Sequence, residues 1–194
     1  MDHSFQQSLP PLQLVDGFWQ GQFTLSAWAG FQARNGPYGQ LSEDTPSEGR
    51  TKLSISTQGE PPQPPTPAQS AAFAHLLAAQ IPLRDAILSA VARAYPDWQE
   101  DYGYDEADAR ELMPDIAQPN DLRALMGLST VHILTTAYEG LAYVGFKFGC
   151  TWDEEHGLGA LTHGGRVVEV GQADTTFLDW LAERDCRPGG ASGS

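Results

Sequence analysis

The chain has 194 residues, with 25 Asp and Glu against 11 Lys and Arg, a formal net charge of −14, and 41% hydrophobic but only 19% charged residues. That length is typical of one domain, and the apolar share is enough to build a core, which excludes a globally disordered chain. The charge argues against direct nucleic-acid binding, which depends on a basic patch, and favours basic partners instead.

No stretch approaches the ~20 apolar residues of a membrane span, and the most apolar run, 76–91, is broken by Gln80, Pro82, Arg84 and Asp85. The opening Met-Asp-His-Ser-Phe lacks the basic and apolar segments of a secretory signal. Two cysteines, Cys150 and Cys186, are too few for a disulfide framework or a structural zinc site. The expectation is a cytoplasmic bacterial protein without a cofactor, in which residues 1–187 form one domain and 188–194 a flexible tail.

In chain order, residues 1–16 read as an irregular lead-in. Alternation then sets in, with Phe23, Leu25 and Ala27 on one side and Gln22, Thr24 and Ser26 on the other, which predicts a half-buried strand. After loop chemistry over 35–49, Leu53 and Ile55 mark a second strand, expected to pair with the first as an antiparallel unit. The Pro-rich connector 59–66 is a stiff spacer. It ends on Thr66-Pro67-Ala68-Gln69, a helix start in which Thr66 caps, Pro67 takes the first helical position and Gln69 reaches back to the cap. The helix carries Phe73, Leu76, Leu77, Ile81, Leu88 and Val91 at helical spacing. Pro82 is expected to kink or split it, and Tyr95-Pro96 to end it.

Residues 97–115 then hold eight acids, Asp97, Glu100, Asp101, Asp105, Glu106, Asp108, Glu111 and Asp115, against Arg110 alone, with Tyr102 and Tyr104 inside the run. A short helix is predicted over 119–126. Strands follow over 129–138 and 141–152, turned at Glu139-Gly140, with Ala142, Val144, Phe146, Phe148, Cys150 and Trp152 on one face. A second hairpin, 158–163 against 166–170, turns at Gly164-Gly165, and a short helix is expected over 177–184.

Two constellations carry chemistry. In Cys150-Thr151-Trp152-Asp153-Glu154-Glu155-His156-Gly157 the side chains of Asp153, Glu155 and His156 are candidate ligands of a divalent metal, with His163 approaching across the hairpin. The spacing matches no standard metal motif, and a structural turn ordered by Asp153 and Glu154 competes with that reading. Cys150 falls on an apolar strand face, where a buried and inert thiol is expected. No nucleophile elbow, phosphate loop or dinucleotide fingerprint is present. The second constellation is the acidic run. It reads as a solvated face, or as a docking surface in which Asp101, Tyr102, Tyr104, Asp105, Glu106 and Asp108 contact a basic partner.

The segment Trp-Asp-Glu-Glu-His-Gly-Leu-Gly, followed by Gly-Arg-Val-Val-Glu-Val-Gly at 165–171 and Ala173-Asp174, resembles the signature of an uncharacterised bacterial domain family. In that family a Cys-Thr-Trp-Asp-x-Glu-His-Gly segment closes a β-rich C-terminal half. The similarity covers residues 15–178 and carries no catalytic residue with it. Small acidic proteins of this type are similar to immunity proteins that neutralise bacterial toxins, which implies a cognate, basic toxin domain as partner.

These readings combine into an α+β domain, an antiparallel sheet from the N- and C-terminal parts packed against a central helical segment. The expected function is that of a non-enzymatic immunity-type protein that occludes a toxin active site. The alternative is a metal-dependent hydrolase centred on Asp153, Glu155, His156 and His163.

Overall fold

The structure is a computed structural model that describes residues 9–34, 36, 40–41 and 45–187. Its centre is one seven-stranded sheet whose spatial order follows the chain order, β1 to β7. The strands are β1 (Gln13–Val15), β2 (Phe18–Thr24), β3 (Arg50–Ser56), β4 (Met126–Tyr138), β5 (Leu141–Cys150), β6 (Leu158–His163) and β7 (Arg166–Gly171). Every neighbouring pair is antiparallel except β3 and β4, which run parallel through Lys52–Thr130 to Ile55–Ile133. Parallel neighbours need a crossover rather than a tight turn. Here the crossover holds helices α1 (Pro67–Ala78), α2 (Gln80–Tyr102) and α3 (Glu106–Leu112) and a short 3-10 helix, Pro119–Ala124. The α+β class, the sheet drawn from both ends of the chain and the central helices follow the sequence pattern.

Strand alternation accounts for the two faces of the sheet. Leu53, Ile55, Val131, Ile133, Val144, Phe146, Phe148 and Ala160 point to one side, where Phe73 and Leu76 of α1 and Leu83, Ile87, Leu88 and Val91 of α2 bury against them. Leu134, Tyr143 and Leu161 point to the other side, under Leu181 and Ala182 of α4 (Asp179–Cys186). Trp28, 1% exposed, fills the first core, with ring centroids 4.9 Å from both Phe31 and Phe148. Close packing also requires Gly145, since a Cβ there would lie 2.1 Å from the Thr176 carbonyl oxygen.

Helix α1 starts as its sequence dictates. Thr66 accepts from the Gln69 backbone N–H, Gln69 Oε1 accepts from the Thr66 N–H at 2.9 Å, and Pro67 is the first helical residue. Gln69 also donates to the carbonyls of Ser56 and Leu134, which ties this helix start to the sheet.

Several local expectations are corrected. Gln13–Val15, inside the supposed lead-in, pairs with β2 as an edge strand, although all three residues are exposed; the pairing is carried by main-chain groups that hydropathy does not report. The alternation Phe23, Leu25, Ala27 is not all strand. β2 ends at Thr24 and the chain turns through Leu25 into a 3-10 helix, Ser26–Trp28; Leu25 and Ala27 are still buried. The helical segment does split, but at Ala79, so that Pro82 falls in the first turn of α2, where its missing N–H costs no ladder bond. Ile81, which shares the helical spacing of the apolar residues, is 59% exposed just after the break.

Pro96 does not end α2, which runs on to Tyr102 and closes on Gly103 in the left-handed region. An interior proline costs a helix roughly 3 kcal/mol. Pro96 faces solvent, and the last turns are held by Tyr95, packed edge-on to Trp152 at 5.4 Å, and by Trp98, stacked at 6.5 Å on the same ring. The strand expected to reach Trp152 stops at Cys150, and residues 119–126 form a 3-10 helix followed by the start of β4. The predicted tail, 188–194, lies outside the described residues.

His132 of β4 sits edge-on to Phe177 at 5.8 Å. Burial, with Lys147 adding repulsion, pushes its pKa down to about 4. The neutral ring therefore contributes stability that is complete above the unfolded value of about 6.5 and is lost as pH falls from there toward the folded value. Thermal melts should show a midpoint falling between pH 6.5 and 5, and His132→Gln should flatten that part of the profile. Separately, Thr66→Ala should cost about 1 kcal/mol in urea unfolding, because it removes the cap of α1.

Candidate functional site

Where β5 leaves the sheet, residues 151–157 form a tight loop that meets the end of α2. Asp153 anchors it. This residue is 8% exposed, and its Oδ1 accepts from the His156 backbone N–H at 2.9 Å and faces the His156 ring Nδ1 at 3.0 Å. Its Oδ2 accepts from the Tyr102 hydroxyl at 2.5 Å and from Gln172 Nε2 at 3.5 Å. The neighbouring Tyr104 hydroxyl donates to the Trp152 carbonyl at 2.7 Å. The two tyrosine rings lie nearly parallel, 9° apart, with centroids separated by 5.8 Å.

The loop is closed from every side. Thr151 donates through its hydroxyl to the Leu112 carbonyl at 2.5 Å and through its N–H to the Leu125 carbonyl at 2.9 Å. Gly157 donates to the Asp153 carbonyl at 2.8 Å. Its φ of +65°, with the Phe148 carbonyl oxygen 2.6 Å from where a Cβ would stand, leaves room only for glycine. The buried Arg34 guanidinium approaches exposed Glu154 at 3.5 Å from behind.

These contacts set the electrostatics. Burial pushes the Asp153 carboxyl up, but the hydrogen bonds from Tyr102 and from the His156 backbone and ring outweigh it, and the group is held below the usual carboxylate range. Burial and the hydrogen bond to this anion push the Tyr102 hydroxyl up, and burial with the Asp153 charge does the same to Tyr104, so both stay neutral donors. Cys150 is buried at the strand end, 3.6 Å from the Asp153 carbonyl, and burial pushes its thiol up to about 12. It is buried, as its strand position predicts, in the setting that disfavours a reactive thiolate.

The loop and the end of α2 enclose a cleft of about 720 Å³, within the usual range of ligand sites. Trp98, Tyr102, Tyr104 and Trp152 supply aromatic surface; Asp101, Asp153, Glu154 and Glu155 supply carboxylates; His156, Gln172 and Leu158 complete much of the wall. Among the described residues no Lys or Arg lines it.

The two constellations read separately in the sequence are thus one site. Asp101, Tyr102 and Tyr104 line the cleft, but the other acids of the run do not. Asp105 caps α3, accepting from the Ala107 and Asp108 N–H groups, Glu106 pairs with Arg110, and Asp108 is exposed in the first turn of α3. The four proposed metal ligands are not brought together. Asp153, Glu155 and His156 line the cleft, whereas His163 lies at the far end of β6, roughly 17 Å from Leu158 along an extended strand at ~3.3 Å per residue. There its Nε2 faces the carbonyls of Tyr138 and Leu141, and its ring packs 4.5 Å from Tyr143. Among the described residues no group of three or more His, Cys, Asp or Glu is placed to hold a metal ion.

Sequence reading missed Gln172 and Leu112 as wall residues. Neither carries a local signal, since each reaches the cleft through a long-range contact. Trp98 did carry one, a large aromatic inside the acidic run.

Residues 21–178 match a protein family described as Domain of unknown function (DUF6985), and the chain belongs to that family. No curated protein and no solved structure matches the chain. No helix among the described residues is long and apolar enough to cross a membrane.

Tyr102→Phe should remove the short donor to Asp153 while keeping the ring, at a cost of about 1–2 kcal/mol in denaturant unfolding. The stabilisation that ionised Asp153 contributes is complete above its unfolded pKa of about 3.9 and is lost as pH falls through its lower folded value. In Tyr102→Phe the folded value rises, so the Asp153 carboxyl resonance in a carbon-13 NMR titration should shift at higher pH than in the parent.

Proposed function

We propose that this member of the DUF6985 family is a non-enzymatic binding protein of the immunity type, which docks a basic toxin domain and occludes its active site. The observation that supports this most directly is the cleft itself: four carboxylates and four aromatic residues line it, and among the described residues no Lys or Arg does. The net charge of −14 adds long-range attraction for a basic partner. Exposed Asp105, Glu106 and Asp108 extend the acidic surface outward from Tyr104. Tyr and Trp provide contact area at low entropic cost, and acidic surfaces raise association rates more than they deepen affinity. The small size and acidity of the chain are features in which it resembles immunity proteins, and they support the same reading. A cytoplasmic location accords with this reading.

The alternative proposal, a metal-dependent hydrolase, has less behind it. With His163 on another hairpin, only Asp153, Glu155 and His156 remain, and both Asp153 oxygens already accept hydrogen bonds. A metal would have to displace the contacts that order the loop. Elemental analysis separates the two: a stoichiometric divalent metal lost on His156→Ala would favour the hydrolase.

Affinity capture with the intact chain should recover a basic protein whose toxicity is neutralised on co-expression. The association rate should fall roughly tenfold or more between low and high salt, as expected for steered encounter. Recovery of no basic protein, together with no protection against the product of a neighbouring toxin gene, would overturn the proposal.

A further inference from the structure

We infer that the cleft between Tyr102 and His156 receives an arginine side chain, presented by the protein partner as the anchor of the interface. The inference rests on the binding reading above and names the group that the cleft recognises.

Charge selects a cation. Asp101, Glu154 and Glu155 are exposed around the cleft, and Asp153 is an ionised carboxylate inside it. An anionic ligand would meet repulsion from all four. The walls select a particular cation. Trp98 and the stacked Tyr102–Tyr104 pair offer ring surface, on which a guanidinium both stacks and gains cation–π attraction. A lysine ammonium is compact and strongly hydrated, so it gives up more on entering an aromatic-walled space. A quaternary ammonium would satisfy the rings but donates no hydrogen bond, leaving the carboxylates at the mouth without a partner. A guanidinium meets both demands, with its flat faces toward the rings and its five N–H groups toward the acids.

The site is also built before the ligand arrives. The Tyr102 and Tyr104 hydroxyls are bonded to Asp153 and to the Trp152 carbonyl, at 2.5 and 2.7 Å. Their rings therefore need little further ordering on binding, which removes part of the usual entropic cost. The Asp153 oxygens are committed to that scaffold, so the acids free to grip the guanidinium are Asp101 and Glu155, with Glu154 shared with Arg34. Asp153 is a positioning residue and Tyr102 a contact residue.

The test uses the full chain and the blocked amino acid N-acetyl-arginine N-methylamide, followed by NMR through the Trp98 and Trp152 indole N–H signals. The lysine and citrulline counterparts and tetramethylammonium serve as competitors. The arginine probe should bind with a dissociation constant of the order of millimolar and more tightly than lysine, while neutral citrulline should leave the indole signals unmoved. Glu155→Gln, at an exposed position, and Tyr102→Ala should each weaken the arginine probe by roughly threefold to tenfold. Citrulline binding as well as arginine, tetramethylammonium binding more tightly than arginine, or no response to the arginine probe would each overturn the inference. Arginine binding without any recoverable toxin would support the cleft and remove the immunity reading. A toxin held equally by the parent, Glu155→Gln and Tyr102→Ala would keep that reading and remove the arginine anchor.

Discussion

A buried carboxylate at the end of a central strand organises the acidic end of this molecule. Asp153 sits where β5 gives way to a loop, and its four hydrogen-bonding contacts come from three separate parts of the chain: Tyr102 from the end of α2, His156 from its own turn, and Gln172 from just past β7. An anion removed from water is costly unless donors surround it. The loop, the last turn of α2 and the exit of β7 are therefore constrained together. The same constraint explains why α2 continues past Pro96. Its final turns are needed to deliver Tyr95 and Trp98 to Trp152 and Tyr102 to Asp153, and those contacts offset the lost ladder bond.

Topology makes that meeting available. The parallel pairing of β3 with β4 forces a long crossover, and the crossover carries the helices over one face of the sheet. The acidic segment spans the last turns of α2 and the start of the return to β4, so it is carried to the end of the sheet where β5 finishes. Thr151 bonding to Leu112 and Leu125, and Tyr95 bonding to the Pro114 carbonyl, fasten the crossover there. Charge otherwise spread along the sequence is thereby concentrated around aromatic rings. In the binding reading, that pairing is what distinguishes a docking site from an ordinary solvated acidic face.

How much was legible in the sequence varied with the physical origin of each feature. The capping box at Thr66, the buried alternation of Leu53 and Ile55, and the face running from Ala142 to Cys150 all follow from short-range periodicity and hydrogen-bonding chemistry. The hairpin turns at Glu139-Gly140 and Gly164-Gly165 are equally local. The failures share a cause. The edge strand Gln13–Val15 buries no side chain well, so it left no hydropathy trace. Pro96 was read by its local penalty, and tertiary packing overrode it. His163 seemed within reach of His156 because seven residues separate them, but an extended strand converts that spacing into distance.

By itself the sequence determined the α+β class, the acidic character, the burial of Cys150 and the presence of two polar clusters worth attention, because each depends on composition or on neighbours a few residues apart. Only the tertiary structure decided that Tyr102 and Tyr104 belong with Asp153 and His156, and that His163 does not. Burying a carboxylate requires donors, and which donors reach it depends on the route of the chain through space, which no local pattern encodes.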